Sequence, residues 1–157
     1  MAQPRREQEP LREIERELML ISRHSLAAQP VGFSRVLDRS AYHLLSRMQV
    51  QGPMSIGQLA EAFGLDTSTV NRQTSAMLRA HLVERIADPE GGIARKLRIT
   101  ALGAEQLAAD RAGALDALGR VLADWQPREL AELRETLERF NTSVERHEGR
   151  PWPRARD

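Results

Sequence analysis

Residues 55–80 read SIGQLAEAFGLDTSTVNRQTSAMLRA and contain two helical patterns separated by a tight turn. Ser55 and Gln58 have the spacing of a capping box at the start of the first helix, and Gly64 is placed to end it in the left-handed conformation. The second helix begins with Asp66 or the residue after it as its N-cap and runs to about residue 80. Two helices of this size joined by a short turn are typical of a helix-turn-helix unit.

The second of these helices is unusually polar. Seven of the twelve residues at 66–77 are Thr, Ser, Asn or Gln, which are mediocre helix formers. Such short donors and acceptors match the base edges in the major groove of DNA, against which the second helix of this unit lies. The alternative is a solvated surface helix, but such helices usually contain Glu and Lys, and this one has neither. We therefore predict base readout by Thr67, Ser68, Thr69, Asn71, Arg72, Gln73 and Ser75.

A β-hairpin is predicted directly after this helix. The segments LVERIA (82–87) and KLRIT (96–100) contain β-branched residues, and DPEGG (88–92) between them has strong turn chemistry. A hairpin at this place makes the unit a winged helix. For contacts to the DNA backbone and from the wing we predict Arg35, Arg39, Arg79, Arg85, Arg95 and Lys96.

Helical patterns also flank this unit on both sides. The last pattern steps by three and four residues through two heptads, which is typical of a helix that packs against another helix. Packing within one domain is one interpretation. We favour a dimer interface, because these helices lie outside the winged helix and need a partner. The residues concerned are Leu11, Ile14, Leu18, Leu130, Leu133, Leu137, Phe140 and Val144.

The predicted fold class is therefore mainly α with a small β-hairpin wing (α+β), a winged helix-turn-helix with a flanking helical dimerisation region. Residues 34–100 contain nine basic and six acidic side chains, whereas 101–148 contain six basic and ten acidic ones, which suggests two different tasks. The predicted organisation is a flexible arm (1–10), a dimerisation helix (11–33), the DNA-binding lobe (34–100), two dimerisation helices (101–148) and a flexible tail (149–157).

Composition excludes several other classes. The chain has 157 residues and no cysteine, so it has neither disulfides nor a thiol redox sensor. Its apolar runs are too short for a membrane span, and its first residues lack the apolar region of a secretory signal, so we expect a cytoplasmic protein without a membrane partner. The four His residues are scattered and no Gly-rich phosphate loop occurs, so we expect no cofactor, no metal and no enzyme activity.

The run from residue 55 to residue 103 resembles the MarR family of bacterial transcriptional regulators. The resemblance rests on STVNR (68–72), LVER (82–85), DPE (88–90) and ITALG (99–103), and it extends over about residues 11–147. It implies a homodimer with its first and last two helices intertwined. It also implies recognition helices in successive major grooves of a pseudo-palindromic operator, and it favours a repressor.

Two residues depart from the family pattern. His81 stands where members usually have Gly, and His tolerates the left-handed conformation better than most side chains. Ile93 stands where the family's wing commonly has an Arg that enters the minor groove, so we expect weaker or altered wing contacts. Ile93 also keeps open the alternative of a winged-helix protein-interaction module without specific DNA binding. A helical small-molecule-binding protein is a further alternative.

The resemblance also implies a small aromatic or phenolic effector, bound between the dimerisation helices and the DNA-binding lobe. A ligand of this kind can release DNA only if it binds one arrangement of the lobes better than another. The candidate pocket residues are His24, Phe33, Arg39, Tyr42, His43, Arg47 and Arg111.

Overall fold

The computed structural model describes residues 4–24 and 36–154 and contains six helices and one two-stranded antiparallel sheet within them. This confirms the predicted fold class of a mainly helical chain with a small hairpin. The elements are α1 (Pro4–His24), α2 (Arg39–Gln51), α3 (Ile56–Phe63), α4 (Thr67–Arg79), β1 (Val83–Ile86), β2 (Lys96–Ile99), α5 (Ala101–Val121) and α6 (Pro127–Glu148).

The turn between α3 and α4 is built as its sequence predicts. The backbone N–H of Gln58 donates to Ser55 Oγ at 3.1 Å, and that of Ser55 donates to Gln58 Oε1 at 2.9 Å, which completes the capping box. Gly64 ends α3 with φ +61°, in the left-handed region that favours glycine. Asp66 is the N-cap of α4, but its side chain makes no capping hydrogen bond.

The hydrophobic core of the lobe lies between α2, α3, α4 and the hairpin. α2 is its centre, because Leu44, Leu45 and Met48 on one of its faces are almost completely buried. These positions follow the spacing of one helix face, which turns the same side of α2 toward both α4 and β2. The other large buried side chains are Leu37, Met54, Leu59, Val70, Met77, Leu82, Val83, Leu97 and Leu107.

The hairpin pairs Val83 with Ile99, and Met54 bridges to Leu97 on its other edge. The chain reverses into β1 at His81, whose φ of +58° lies in the left-handed region. Glycine adopts this conformation without steric cost, which agrees with the glycine that the resemblance leads one to expect at this position. Thr100 Oγ1 donates to the His81 carbonyl at 2.7 Å and holds the reversal in place.

The two ends of the chain differ from their predicted boundaries. Helix α1 already begins at Pro4, within the segment predicted to be a flexible arm, and residues 25–33 of the predicted dimerisation helix lie outside the described residues. At the other end, residues 150–154 of the predicted flexible tail fold back onto the lobe, where Trp152 packs edge-on against Phe63. Because a Trp side chain buries a large area, Trp152 can hold this segment on the lobe. The segment is rich in proline and arginine, so its sequence does not predict this contact.

Gly103 allows α5 to start close against the hairpin. Thr100 caps α5 by accepting the Gly103 N–H at 3.0 Å, and Gly103 itself is buried. A Cβ atom at this position would overlap the backbone carbonyl oxygen of Leu82, which has no freedom to move aside. A glycine is therefore required here by close approach of two backbones.

We expect Gly103→Ala to lower the free energy of unfolding by about 1–3 kcal/mol, since overpacking of a packed interior typically costs this amount. Gly57→Ala is the matched control. Its added Cβ would have only Ser55 Oγ nearby, at 3.8 Å, and alanine is the better helix former. Urea unfolding of both variants checks the difference. Equal stabilities for the two variants would contradict the proposed contact.

Candidate nucleic-acid interface

Helix α4 has one buried and one exposed face. Val70, Thr74 and Met77 form the buried stripe, and Thr74 Oγ1 donates to the Val70 carbonyl at 2.8 Å, so the hydroxyl in this stripe has a partner. The opposite face is polar. Of the residues predicted to read bases, Thr67, Ser68, Asn71 and Arg72 are exposed, while Thr69 and Ser75 are half-buried.

Gln73 does not share this exposed face. It lies one helical turn before Met77, at the edge of the buried stripe, and its amide oxygen is buried with no hydrogen-bond partner among the described residues. The side chain lines a cavity that faces α2. The prediction that Gln73 reads bases is therefore corrected: helical phase turns it inward.

Exposed guanidinium groups lie on α2, on α4 and on the wing. Arg79 ends the helix, Arg85 lies on β1, Arg95 precedes β2 and Arg39 begins α2, and all four are exposed. Within residues 4–24 and 36–154, none of them forms an ion pair, so their charges are available to an anionic partner. Arg35, the remaining predicted arginine, lies outside the described residues.

Lys96 is not available in the same way, which corrects its prediction as a DNA contact. Its side chain is buried in the base of the wing, with Nζ 2.8 Å from Asp88 Oδ1 and 3.4 Å from Glu90 Oε2. The hydrogen bond to Asp88 raises the pKa of Lys96 and, from the other side, lowers the pKa of Asp88. Lys96 thus holds the wing turn together, a role that its residue type alone does not reveal.

The tip of the wing presents Ile93. This side chain is fully exposed, with a relative exposure of 104%. Arg95, two residues further on, and Arg85 on β1 supply the available positive charge of the wing, because Lys96 is neutralised inside it. The wing is therefore apolar at its tip and basic at its side.

Asp110 is a positioning residue that the predictions from the sequence do not include. It is 1% exposed on α5, and its two carboxylate oxygens accept the backbone N–H groups of Val36 and Leu37, both at 3.1 Å. This bond joins α5 to the chain entering α2. The signal was present, because Asp110 follows Leu107 by three residues on the buried face of α5, and a buried carboxylate requires donors.

The predicted effector residues do not form one pocket in the described structure. Tyr42 is half-buried and packs against the lobe core, Arg47 is bound by the C-terminal segment, and Arg111 donates a hydrogen bond to Gln49. Phe33 and the side chain of His24 lie outside the described residues. A cavity of about 250 Å³ does include two predicted residues, and its lining consists of Arg39, Ser40, His43, Leu44, Phe63, Leu65 and Gln73.

The predicted dimerisation residues form exposed apolar surfaces in the single chain. Helix α6 has no buried residue over its whole length, although Leu130, Leu137, Phe140 and Val144 lie along one side of it. Leu133, on the same seam, is half-buried. On α1, Leu11, Ile14 and Leu18 are exposed in the same way. Two helices with such seams need a further surface to cover them.

The described part of the chain holds no group of three or more His, Asp or Glu side chains that could bind a metal ion. None of its helices is long and apolar enough to cross a membrane.

Comparison with known sequences identifies the lobe. The sequence model of the MarR family matches residues 37–91, which run from the entry to α2 through the turn of the wing. Over 105 residues, 67% of this chain and 73% of the relative, the sequence is 37% identical to the uncharacterized HTH-type transcriptional regulator YxaD of Bacillus subtilis (strain 168).

Solved structures share the fold beyond the lobe. A MarR family protein from Bacillus stearothermophilus aligns with 87% of this chain and 91% of its own, at a TM-score of 0.65 and 20% identity. A MarR protein from Peptoclostridium difficile DA00132 aligns with 85% of this chain and 88% of its own, at a TM-score of 0.68 and 16% identity. The likeness therefore includes the flanking helices.

The Lys96–Asp88 pair gives the stability of the wing a defined pH dependence. Because the pKa of Asp88 is lowered, its contribution is present above its unfolded pKa of about 3.9 and is lost as pH falls through the folded value. Because the pKa of Lys96 is raised, its contribution is present below about 10.4 and is lost as pH rises through the folded value. The pair therefore stabilises the protein between these limits.

We expect Lys96→Met to have a lower melting temperature than the wild type at pH 7. The two melting temperatures should become equal in acid below the pKa of Asp88, and again in strong alkali. Arg98→Met is the control, because its pair with Glu84 is about half exposed on both sides and contributes little. Thermal melts from about pH 2 to about pH 12 check the profile, because the two limits lie below the ordinary pKa of Asp and above that of Lys. A difference that stays constant with pH would contradict the ion-pair role.

Proposed function

Because the chain belongs to the MarR family of transcriptional regulators, we propose that it acts by binding a specific DNA operator as a homodimer. It is a regulator rather than an enzyme. The observation that carries the proposal is the two-sided character of α4. Its apolar stripe is buried against the lobe and its polar face is exposed. Among the described residues, no ion pair is formed by the exposed arginines Arg39, Arg79, Arg85 and Arg95.

Asn71 and Arg72 are the side chains best suited to read bases. Both are exposed in the first turns of α4, at the end that approaches base edges in helix-turn-helix proteins. An Asn pairs with the N6 and N7 atoms of adenine, and an Arg pairs with O6 and N7 of guanine. Thr67 and Ser68, at the start of the helix, then lie close enough for phosphate or base contacts.

The basic residues supply affinity without sequence preference. Arg39, Arg79, Arg85 and Arg95 are exposed in each protomer, so a dimer would neutralise about eight phosphates. Such a dimer has a logarithmic salt dependence with a slope near −7. Ile93 adds no charge at the wing tip, so the wing contributes van der Waals contact with the sugars of the minor groove, and Arg95 makes its phosphate contact.

The dimer is formed by α1, α5 and α6. The apolar seams of α1 and α6 are uncovered in one protomer, and a two-fold axis would cover both seams at once. Two recognition helices related by this axis fit half-sites about one turn of DNA apart, roughly 34 Å. The operator is therefore pseudo-palindromic, and its occupation in the cytoplasm would repress the adjacent promoter.

A small aromatic or phenolic molecule is the proposed effector, and the 250 Å³ cavity is its proposed site. Leu44, Phe63 and Leu65 provide apolar walls, Arg39 provides a cationic rim, and the unpartnered Gln73 oxygen would accept a hydrogen bond from a hydroxyl group. Since Gln73 belongs to α4, a bound ligand acts directly on the helix that reads DNA. It would change affinity by its preference for one position of α4.

We expect Asn71→Ala combined with Arg72→Ala to lower the affinity for specific DNA by at least about 100-fold, because each lost bidentate contact costs roughly 1–3 kcal/mol in each protomer. Fluorescence anisotropy with the duplex upstream of the protein's own gene, with random duplex as competitor, measures this. The control is Arg128→Ala, an exposed arginine on α6 whose loss should leave binding unchanged. Retention of the wild-type sequence preference in the double variant would refute the assignment of α4.

We expect Phe140→Asp to produce a monomer, because it places a carboxylate in the apolar seam of α6, where Phe140 is 39% exposed in the single chain. The monomer should lose cooperative binding to two half-sites while its lobe remains folded. Sedimentation velocity and circular dichroism measure the two properties, and Glu138→Gln, on the polar side of α6, is the control. A Phe140→Asp protein that remains dimeric would exclude α6 from the interface.

A further inference from the structure

The segment Gly149–Arg154, here called the C-terminal strap, connects the end of α6 to the DNA-binding lobe of the same chain. Gly149 ends α6 with φ +68°, and the Arg150 N–H donates back to the Glu145 carbonyl at 3.0 Å. The chain then turns toward α2 and α3. Arg150 lies over Gly64, the residue that forms the turn between the two helices of the helix-turn-helix.

Trp152 is the anchor of the strap on the lobe. Its ring meets Phe63 of α3 edge-to-face, with centroids 5.8 Å apart and planes at 77°. On another side the guanidinium of Arg47, from α2, lies 5.2 Å from the Trp152 centroid. Arg47 also donates from Nη1 to the Pro151 carbonyl at 3.1 Å, and it is itself buried. Aromatic and cation–π contacts of this kind are directional and fix the ring in one orientation.

The other end of the strap is fixed to α6. Arg154 forms a bidentate pair with Glu145, with Nη2 to Oε1 at 2.7 Å and Nη1 to Oε2 at 2.9 Å. The backbone N–H of Trp152 donates to Oε2 of the same carboxylate at 3.2 Å. One acidic side chain of α6 therefore holds both the backbone and the terminal arginine of the strap, so the position of Trp152 follows the position of α6.

The strap gives the lobe a second attachment. The first is α5, which leaves the hairpin at Gly103 and is joined to residues 36 and 37 by Asp110. A rigid body held by one helix can swing about it, whereas a body held at two separate places cannot. Trp152 meets the lobe on α2 and α3, the helices against which the core packs α4.

We propose that the C-terminal strap sets the position of the DNA-binding lobe relative to α6, with Trp152 as its positioning residue, and thereby fixes the separation of the two recognition helices. This inference rests on the proposed function as a DNA-binding dimer. In such a dimer α6 belongs to the interface, so a lobe held by the strap has a fixed distance from the two-fold axis. The strap then selects operators by the spacing of their half-sites.

The test compares Trp152→Ala with Trp125→Ala, which removes the other tryptophan, in the turn between α5 and α6. Binding is measured to the operator with its native half-site spacing and to versions with one base pair inserted or deleted. We expect Trp152→Ala to lose about 10-fold in affinity at the native spacing and to lose most of its discrimination among the three spacings. Trp152→Phe, which keeps an aromatic ring at this position, should discriminate among the three spacings as the wild type does. Equal losses at all spacings would overturn the proposal.

A second measurement does not depend on DNA. Because the chain has no cysteine, Ala80→Cys places one spin label per protomer at the end of α4, and pulsed electron paramagnetic resonance gives the distance between the two labels. We expect a narrow distance distribution that Trp152→Ala broadens and Trp125→Ala does not. Arg154→Gln, an exposed substitution that leaves the lobe core intact, should broaden it partly.

These readouts separate the two hypotheses. A distribution that broadens in Trp152→Ala, from a wild type that binds no specific DNA, would support the strap and contradict the proposed function. Specific DNA binding with an unchanged distribution in Trp152→Ala would support the function and overturn the strap. A monomeric wild type would overturn both.

Discussion

The burial of one face of α4 is the constraint on which the rest of the structure depends. Its Thr, Ser, Asn and Gln residues are each less favourable in a helix than alanine by roughly 0.5 kcal/mol, so seven of them oppose the helix by about 3–4 kcal/mol. Burial of Val70 and Met77 contributes about 1.5–3 kcal/mol each and offsets this cost. Packing on Leu44, Leu45 and Met48 therefore holds the helix, and its outer face is left free for polar residues that a stable isolated helix would not contain.

Two charged side chains attach this lobe to the rest of the chain. One binds backbone N–H groups, and the other binds a backbone carbonyl and an aromatic ring. Asp110 fixes α5 to the start of α2 through two backbone N–H groups, and Arg47 joins α2 to the C-terminal strap. Phe63 belongs to both of the sites proposed above, because Trp152 packs on its ring and the 250 Å³ cavity uses it as a wall. A ligand in that cavity would therefore contact the residue on which the position of the lobe depends, as well as α4 through Gln73.

The sequence predicts those features that depend on local spacing. The capping box at Ser55, the end of α3 at Gly64 and the hairpin around residues 88–92 follow from turn chemistry, and the structure confirms each of them. The DNA contacts predicted for Gln73 and Lys96 are wrong, since residue type does not reveal which way a side chain faces. Gln73 is turned inward by helical phase, and Lys96 finds a carboxylate across the wing turn. Trp152 lies among prolines and arginines, so only its contact with the distant Phe63 reveals its role.

Selection of bound fragments from a pool of random duplexes by the wild-type protein tests the central claim most directly. It requires no knowledge of the natural operator. A homodimer that reads DNA with the outer face of α4 should enrich an inverted repeat whose half-site centres lie about 10 base pairs apart, the spacing of adjacent major grooves. Guanine and adenine positions in each half-site should match the contacts assigned to Arg72 and Asn71. A pool that remains random after repeated rounds, while the protein stays folded and dimeric, would contradict the account.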